Sequence, residues 1–206
     1  MKILRYITGP IQVNTYFAYD ESTQKGFLVD PGAYSTKITE KIRELGVSLE
    51  YIILTHGHGD HIGGVEQFRK DFPQAKVVAY KDEREMLQSA ELNSSTEMFG
   101  KPVILDADLY VGDRDTLKVG NMELTFLHTP GHTKGGMSIY TEGHLFSGDT
   151  LFRYSIGRTD FYGGDFSTLM NSIKDVLFRL PDDTVVLPGH MDLTTIGDEK
   201  RGNPFV

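Results

Sequence analysis

Four apolar residues, Tyr51-Ile52-Ile53-Leu54, run directly into Thr55-His56-Gly57-His58-Gly59-Asp60-His61. The run reads as a buried strand, and the segment after it sets three imidazoles and a carboxylate within six positions. Imidazole and carboxylate are ligands that suit zinc, iron or manganese. A chain that gathers them where a strand ends must fold so that this strand end stays open to an ion. His56 and His58 stand two apart, so extended backbone would project both rings to one side. Asp60 and His61 follow as the chain turns toward the next helix, a direction that suits a second ion.

The same pattern recurs three times. Leu127 leads into Pro130-Gly131-His132, Phe146 into Gly148-Asp149, and Leu187 into Pro188-Gly189-His190. Strand ends on one edge of a sheet can converge, and glycine beside the ligand lets the backbone turn sharply there. His56, His58, Asp60, His61, His132, Asp149 and His190 make seven candidate ligands. That is too many for one four-coordinate zinc and enough for two divalent ions sharing a bridging carboxylate. Two such ions would acidify a shared water and polarise a carbonyl, so hydrolysis would need no side-chain nucleophile. No Ser-His-Asp arrangement and no Gly-rich phosphate loop before a helix competes with this reading. His128 and His144 match no ligand position and are read as packing or surface residues. Asp30 could orient a ligand imidazole or simply form a turn with Pro31-Gly32.

Around these clusters the chain mixes strands and helices. Strands are expected at Ile3–Tyr6, Thr15–Tyr19, Gly26–Val29, Lys76–Tyr80, Thr116–Val119, Met122–Leu127, Met137–Tyr140, His144–Phe146 and Thr184–Leu187. Helical spacing joins Ile38, Ile42 and Leu45, with Ser35 or Thr36 to cap and Gly46 to end, and again Val65, Phe68 and Phe72 before Pro73. Residues 81–92 and 166–180 read as further helices, and 93–101 as a loop whose Met98-Phe99 pair could rim a pocket, with simple packing the preferred account. No linker or repeat divides the chain, so one domain over residues 1–206 is expected, with two sheets face to face and helices outside.

A net charge of −8 sets the average field of the molecule against a phosphate backbone, which argues against nucleic acid as a partner. The chain has no cysteine, which removes disulfides, thiolate ligands and a cysteine nucleophile. With neither a signal-like amino terminus nor an apolar run of about 20 residues, a cytoplasmic protein without a membrane partner is expected.

The ordered set from His56-Gly57-His58-Gly59-Asp60-His61 through His132, Asp149 and His190 resembles the His-x-His-x-Asp-His signature of the metallo-β-lactamase fold hydrolases. The resemblance extends through Val29-Asp30-Pro31-Gly32, Thr129–Thr133, Gly148–Phe152, Gly157-Arg158-Thr159-Asp160-Phe161 and Thr194–Gly197, segments similar to the small glyoxalase II-like branch. It implies an α/β fold of αββα type. It also implies that His56, His58 and His132 hold one metal, Asp60, His61 and His190 the other, and that Asp149 bridges. Asp60 would orient a metal-bound hydroxide, and Arg158 lies where the family places a cation that contacts substrate, with a structural salt bridge as the alternative. The ions would be zinc first, with iron or manganese as alternatives. Glyoxalase II cleaves the thioester S-D-lactoylglutathione, but its full-length enzymes carry a helical extension whose cations grip glutathione. Here sixteen residues follow His190, and they include Lys200 and Arg201.

The leading expectation is therefore a binuclear metal-dependent hydrolase acting on a small-molecule thioester or related ester. The alternatives are a persulfide dioxygenase with one iron, and a metal-stabilised binding module without turnover.

Overall fold

The computed structural model describes residues Met1 to Val206 and arranges them in four layers, with two sheets packed against each other and helices on both outer faces. In the first sheet, β1 (Lys2–Thr8), β2 (Val13–Asp20), β3 (Lys25–Val29), β4 (Ser48–Ile53), β5 (Lys76–Tyr80) and β6 (Leu109–Val111) lie side by side in chain order. The first three are antiparallel hairpin neighbours. From β3 onward the pairing is parallel, and parallel neighbours need crossover connections. Helix α1 (Thr36–Glu44) provides the first, and α2 (Gly59–Ile62) with α3 (Val65–Asp71) the second; α4 (Arg84–Leu87) and α5 (Ser95–Phe99) lie in the third.

The second sheet is built from β7 (Thr116–Val119), β8 (Met122–His128), β9 (Met137–Thr141) and β10 (His144–Gly148), extended by two later strands. After a small hairpin of β11 (Leu151–Phe152) and β12 (Ser155–Ile156), helix α6 (Phe166–Asn171) crosses over. It leads to β13 (Val185–Pro188), which runs parallel to β10, and β14 (Thr194–Thr195) closes that edge. The last element is α7 (Ile196–Gly202). No helix is long and apolar enough to cross a membrane.

Strand alternation sorts the core into three layers. Every residue of β2 is buried, because both faces of its sheet are covered. Phe17 and Tyr19 face α1 and α3, alongside Leu28, Ile52, Val77, Ile38, Ile42 and Phe68. Their neighbours Tyr16 and Ala18 face the second sheet and meet Phe27, Ile53, Val78, Phe126, Ile139 and Phe146. On the far side Leu127, Leu145 and Val186 pack against Leu169, Ile173 and Ile196. Phe146 is central to the seam, its ring edge-on to Tyr16 at 5.4 Å and to Phe27 at 5.8 Å between centroids.

Most expected elements form within one or two residues of their expected ends; the exceptions have physical reasons. Residues 81–92 give only a 3-10 turn and α4, because the chain must turn inward to bury Glu83 and Leu87. The stretch read as a loop contains α5, which packs on α2: Phe99 lies against Gly63, whereas Met98 reaches the cavity described below. The single helix expected over 166–180 is regular only through Asn171, then widens into a π turn over Ser172–Val176 and tightens into a 3-10 turn over Leu177–Arg179. Strand β6 has three residues and is recruited by its neighbour β5 rather than by its own pattern.

Phe146→Ala would open a cavity between the sheets. It is expected to lower the unfolding free energy by about 3–5 kcal/mol, measured as a lower urea midpoint, and a near-unchanged midpoint would contradict the central place of this ring in the seam.

Candidate metal centre

The four ligand-bearing segments leave their strands at one rim of the paired sheets. His56 to His61 follow β4, His132 follows β8, Asp149 follows β10 and His190 follows β13. The rim is stitched across the seam. Asn14 on β2 donates its amide to the carbonyls of Pro188 at 2.9 Å and Met191 at 2.8 Å, and the Tyr16 hydroxyl donates to Pro188 at 2.8 Å. Gly189 N–H donates to the Gly148 carbonyl at 2.8 Å, which brings the Asp149 and His190 loops together. A side chain at Gly189 would collide with the Asp149 carboxylate and the His61 ring, so glycine is required for this approach.

All seven predicted ligands converge. The ligating atoms of His56, His58 and His132 lie within 4.8 Å of one another, as do those of Asp60, His61 and His190. Asp149 stands between the triplets, with Oδ1 3.4 Å from His61 Nε2 and Oδ2 3.6 Å from both His132 Nε2 and His190 Nε2. Asp60 Oδ2 is 3.4 Å from His190 Nε2.

Hydrogen bonds at the outer edge of the rings set their tautomers. Asp30, held at φ 46 after β3, accepts from Thr55 N–H at 2.8 Å, from Thr55 Oγ1 at 2.6 Å and from His61 Nδ1 at 2.9 Å. With its proton committed to Asp30, the Thr55 hydroxyl is left to accept from His56 Nδ1, 3.1 Å away. His132 Nδ1 donates to the Arg158 carbonyl at 2.7 Å. In each ring Nε2 is thereby turned inward. His58 presents Nδ1 instead, 2.9 Å from His132 Nε2.

Charge differs between the triplets. Burial, reinforced by the neighbouring imidazoles, holds His56 well below its ordinary pKa, and burial with His132 beside it depresses His58 to about 3. His132 is also lowered, chiefly by burial. His61 is driven the other way: burial opposes its charge, but Asp149, Asp60 and Asp30 outweigh it and raise the pKa well above normal. His190 is raised because its contacts with Asp60 and Asp149 overcome its burial. Asp60 and Asp149 are lowered, since the imidazoles, His61 above all, outweigh the burial penalty.

The donor set fits a pair of cations. His56 Nε2, His58 Nε2, His61 Nε2 and Asp149 Oδ1 are buried without a hydrogen-bond partner, an arrangement that costs free energy unless a cation completes it. His56 Nε2, His61 Nε2 and Asp149 Oδ1 are the acceptors an ion would use, whereas the unpartnered nitrogen of His58 is the one that would keep its proton.

The centre floors a cavity of about 540 Å³ walled by Ile11, Met98, Phe152, Ile156, Phe161 and Met191, with Arg158 the one arginine or lysine that lines it. Arg158 also makes the salt bridge weighed from sequence, with Nε and Nη2 both 2.7 Å from Asp160, and its guanidinium lies 3.8 Å over the Phe161 ring. His128 stacks on Tyr80 and His144 bonds the Glu142 carbonyl, both outside the centre.

Three contributors escape sequence reading. Thr55 relays Asp30 to His56, the Arg158 carbonyl orients His132, and Glu83 reaches in from the turn after β5 to accept from Gly57, Thr133 and Gly135. Burial raises the Glu83 pKa, although these donors pull it back. Nothing in the local sequence separates Glu83 from exposed Glu85 two residues on.

Known proteins share this architecture. The sequence profile of the "Metallo-beta-lactamase superfamily" matches residues 8–190. The hydroxyacylglutathione hydrolase GloC of Haemophilus influenzae is 36% identical over 203 residues, covering 95% of this chain and 93% of that protein. The crystal structure of the BLEG-1 B3 metallo-beta-lactamase superposes with a TM-score of 0.92 at 38% identity, over 99% of both chains. That of TTHA1623 in a di-iron-bound form gives a TM-score of 0.86 at 32% identity, over 98% of this chain and 100% of the other. With this profile match, these relatives and two mixed sheets between helical layers, the chain belongs to the metallo-beta-lactamase superfamily of metal-dependent hydrolases.

Proposed function

We propose that the protein is a binuclear metal-dependent hydrolase that cleaves a small thioester of the S-D-lactoylglutathione type. The observation that carries this reading is the paired triplet: two sets of three ligating atoms, each within 4.8 Å, with Asp149 between them. In this reading His56 Nε2, His58 Nδ1 and His132 Nε2 hold one ion, and Asp60, His61 Nε2 and His190 Nε2 hold the other. Zinc is the proposed metal; the di-iron form of TTHA1623 makes iron the alternative to test. Two divalent ions supply a water acidified toward neutrality and a Lewis acid for the carbonyl oxygen.

The chain's own residues do the rest. The Asp60 carboxylate, kept ionised by His61 and His190, orients the attacking water and takes its proton. The water oxygen bonds to the acyl carbon, the carbon–sulfur bond breaks, and the sulfur leaves with the electron pair and picks up a proton to become the thiol. The apolar cavity wall excludes bulk water from the acyl group, and Arg158 meets an anionic part of the substrate with the guanidinium edge that Asp160 leaves open. The name of the Haemophilus relative supports a glutathione thioester as the first substrate to assay.

Purified protein loaded with two zinc ions is expected to hydrolyse S-D-lactoylglutathione, followed by loss of thioester absorbance, in preference to a chromogenic β-lactam or a phosphodiester. Oxygen consumption with a glutathione persulfide and one bound iron would replace this reading with the dioxygenase. Metal-dependent thermal stabilisation without any turnover would replace it with the binding module.

Asp60→Asn is expected to lower kcat about 10²–10⁴-fold with a much smaller change in KM, while an ion remains on the three histidines, measured by steady-state kinetics alongside metal analysis.

The two ion sites should also respond differently to pH. His61 and His190 have raised pKa values and so hold protons that an entering ion must displace. Affinity at that half should weaken as pH falls, by up to about tenfold per unit for each proton displaced. The pKa values of His56, His58 and His132 are lowered instead, so affinity at their half should depend less on pH. Competition titrations with a chromophoric chelator at several pH values test both expectations.

A further inference from the structure

Glu83 is 1% exposed and lies outside the ligand set. It ends the 3-10 turn after β5 (Lys81–Glu83) and points inward, although Asp82 beside it is exposed. Its two carboxylate oxygens face three donors. Oε2 accepts from Gly57 N–H at 2.8 Å, while Oε1 accepts from Thr133 Oγ1 at 2.6 Å and from Gly135 N–H at 2.8 Å. Gly57 sits between ligands His56 and His58, and Thr133 follows ligand His132. One buried carboxylate thus joins the two loops that bring the three histidines together.

The surrounding packing leaves little slack. A Cβ at Gly57 would lie 2.9 Å from Glu83 Oε2, and one at Gly135 would lie 2.6 Å from the Glu83 backbone nitrogen. Both loops therefore approach Glu83 as closely as backbone allows. Across this joint His58 Nδ1 and His132 Nε2 stand 2.9 Å apart, so both nitrogens can reach one ion. The other triplet is braced elsewhere, His61 by Asp30 and the His190 loop by Asn14. Glu83 has no hydrogen bond to either.

We propose that Glu83 is a positioning residue that sets the ion affinity of the His56–His58–His132 half of the centre by clamping its two loops, and leaves the Asp60–His61–His190 half unaffected. The proposal rests on the binuclear reading above. Its chemistry predicts that glutamine is a poor replacement, because the amide of Gln would turn a donor toward at least one of three donors that all require an acceptor. Loss of an outer partner of this kind lowers metal affinity or activity by about 10–100-fold.

The test is a zinc titration of the full chain against a chromophoric chelator, with the two binding phases assigned by His56→Ala and His190→Ala. In Glu83→Gln the phase lost in His56→Ala should weaken about 10–100-fold, and the phase lost in His190→Ala should be unchanged. Thr133→Val removes one donor from the same joint and should weaken the same phase to a smaller degree; it decides the matter should Glu83→Gln fail to fold. Equal weakening of both phases, or none, overturns the proposal while leaving the binuclear reading in place. Parent protein that binds fewer than two zinc ions overturns both.

Discussion

Five imidazoles and three carboxylates meet at the seam between the two sheets, where each ionised group must find a partner or give up its charge. The fold meets this constraint with hydrogen bonds around the outside of the cluster. Asp30, Thr55 and the Arg158 carbonyl take the protons on the far sides of His61, His56 and His132. The near sides therefore present ring nitrogens and carboxylate oxygens to one another. Such a surface suits a cation, and the hydrogen bonds of the rim hold it in place.

The two halves of the centre are electrically unlike because their surroundings are. Burial and mutual repulsion lower the pKa values of the three imidazoles in one half. His61 is as deeply buried, yet three carboxylates face it and its pKa is raised. Residue type is therefore a poor guide to protonation here; the count of carboxylates within a few ångströms decides it. An ion entering between the halves would replace the proton charge that now balances Asp60 and Asp149.

Much of this was legible in the sequence. The apolar runs before each polar cluster marked the strands, and alternation within them sorts Tyr16 from Phe17 and Leu145 from Phe146 into different core layers. That these seven side chains could meet at one rim was legible too, because histidines and aspartates at strand ends have few structural uses. Glu83 was not. It lies in a charged stretch with helical composition, and only the inward turn after β5 distinguishes it from its neighbours. Met98 was misjudged in the same way, since a loop-like segment showed nothing of the short helix that carries it to the cavity. Helix α7 left a clue that went unread: Thr195 stands three residues before Asp198 and accepts its N–H as an N-cap.

The amino-acid order by itself determined which donors the centre has, where each strand ends, and that no thiolate could take part, because these are matters of residue type and short-range period. Only the tertiary structure decided which of these side chains stand together, which nitrogen each ring turns inward and which imidazoles have raised or lowered pKa values. His58 and His132 are 74 positions apart, and His132 takes its orientation from a carbonyl 26 positions further on. Nearness of that kind, and the loss of water that accompanies it, comes from packing two sheets together and is written in no single stretch of chain.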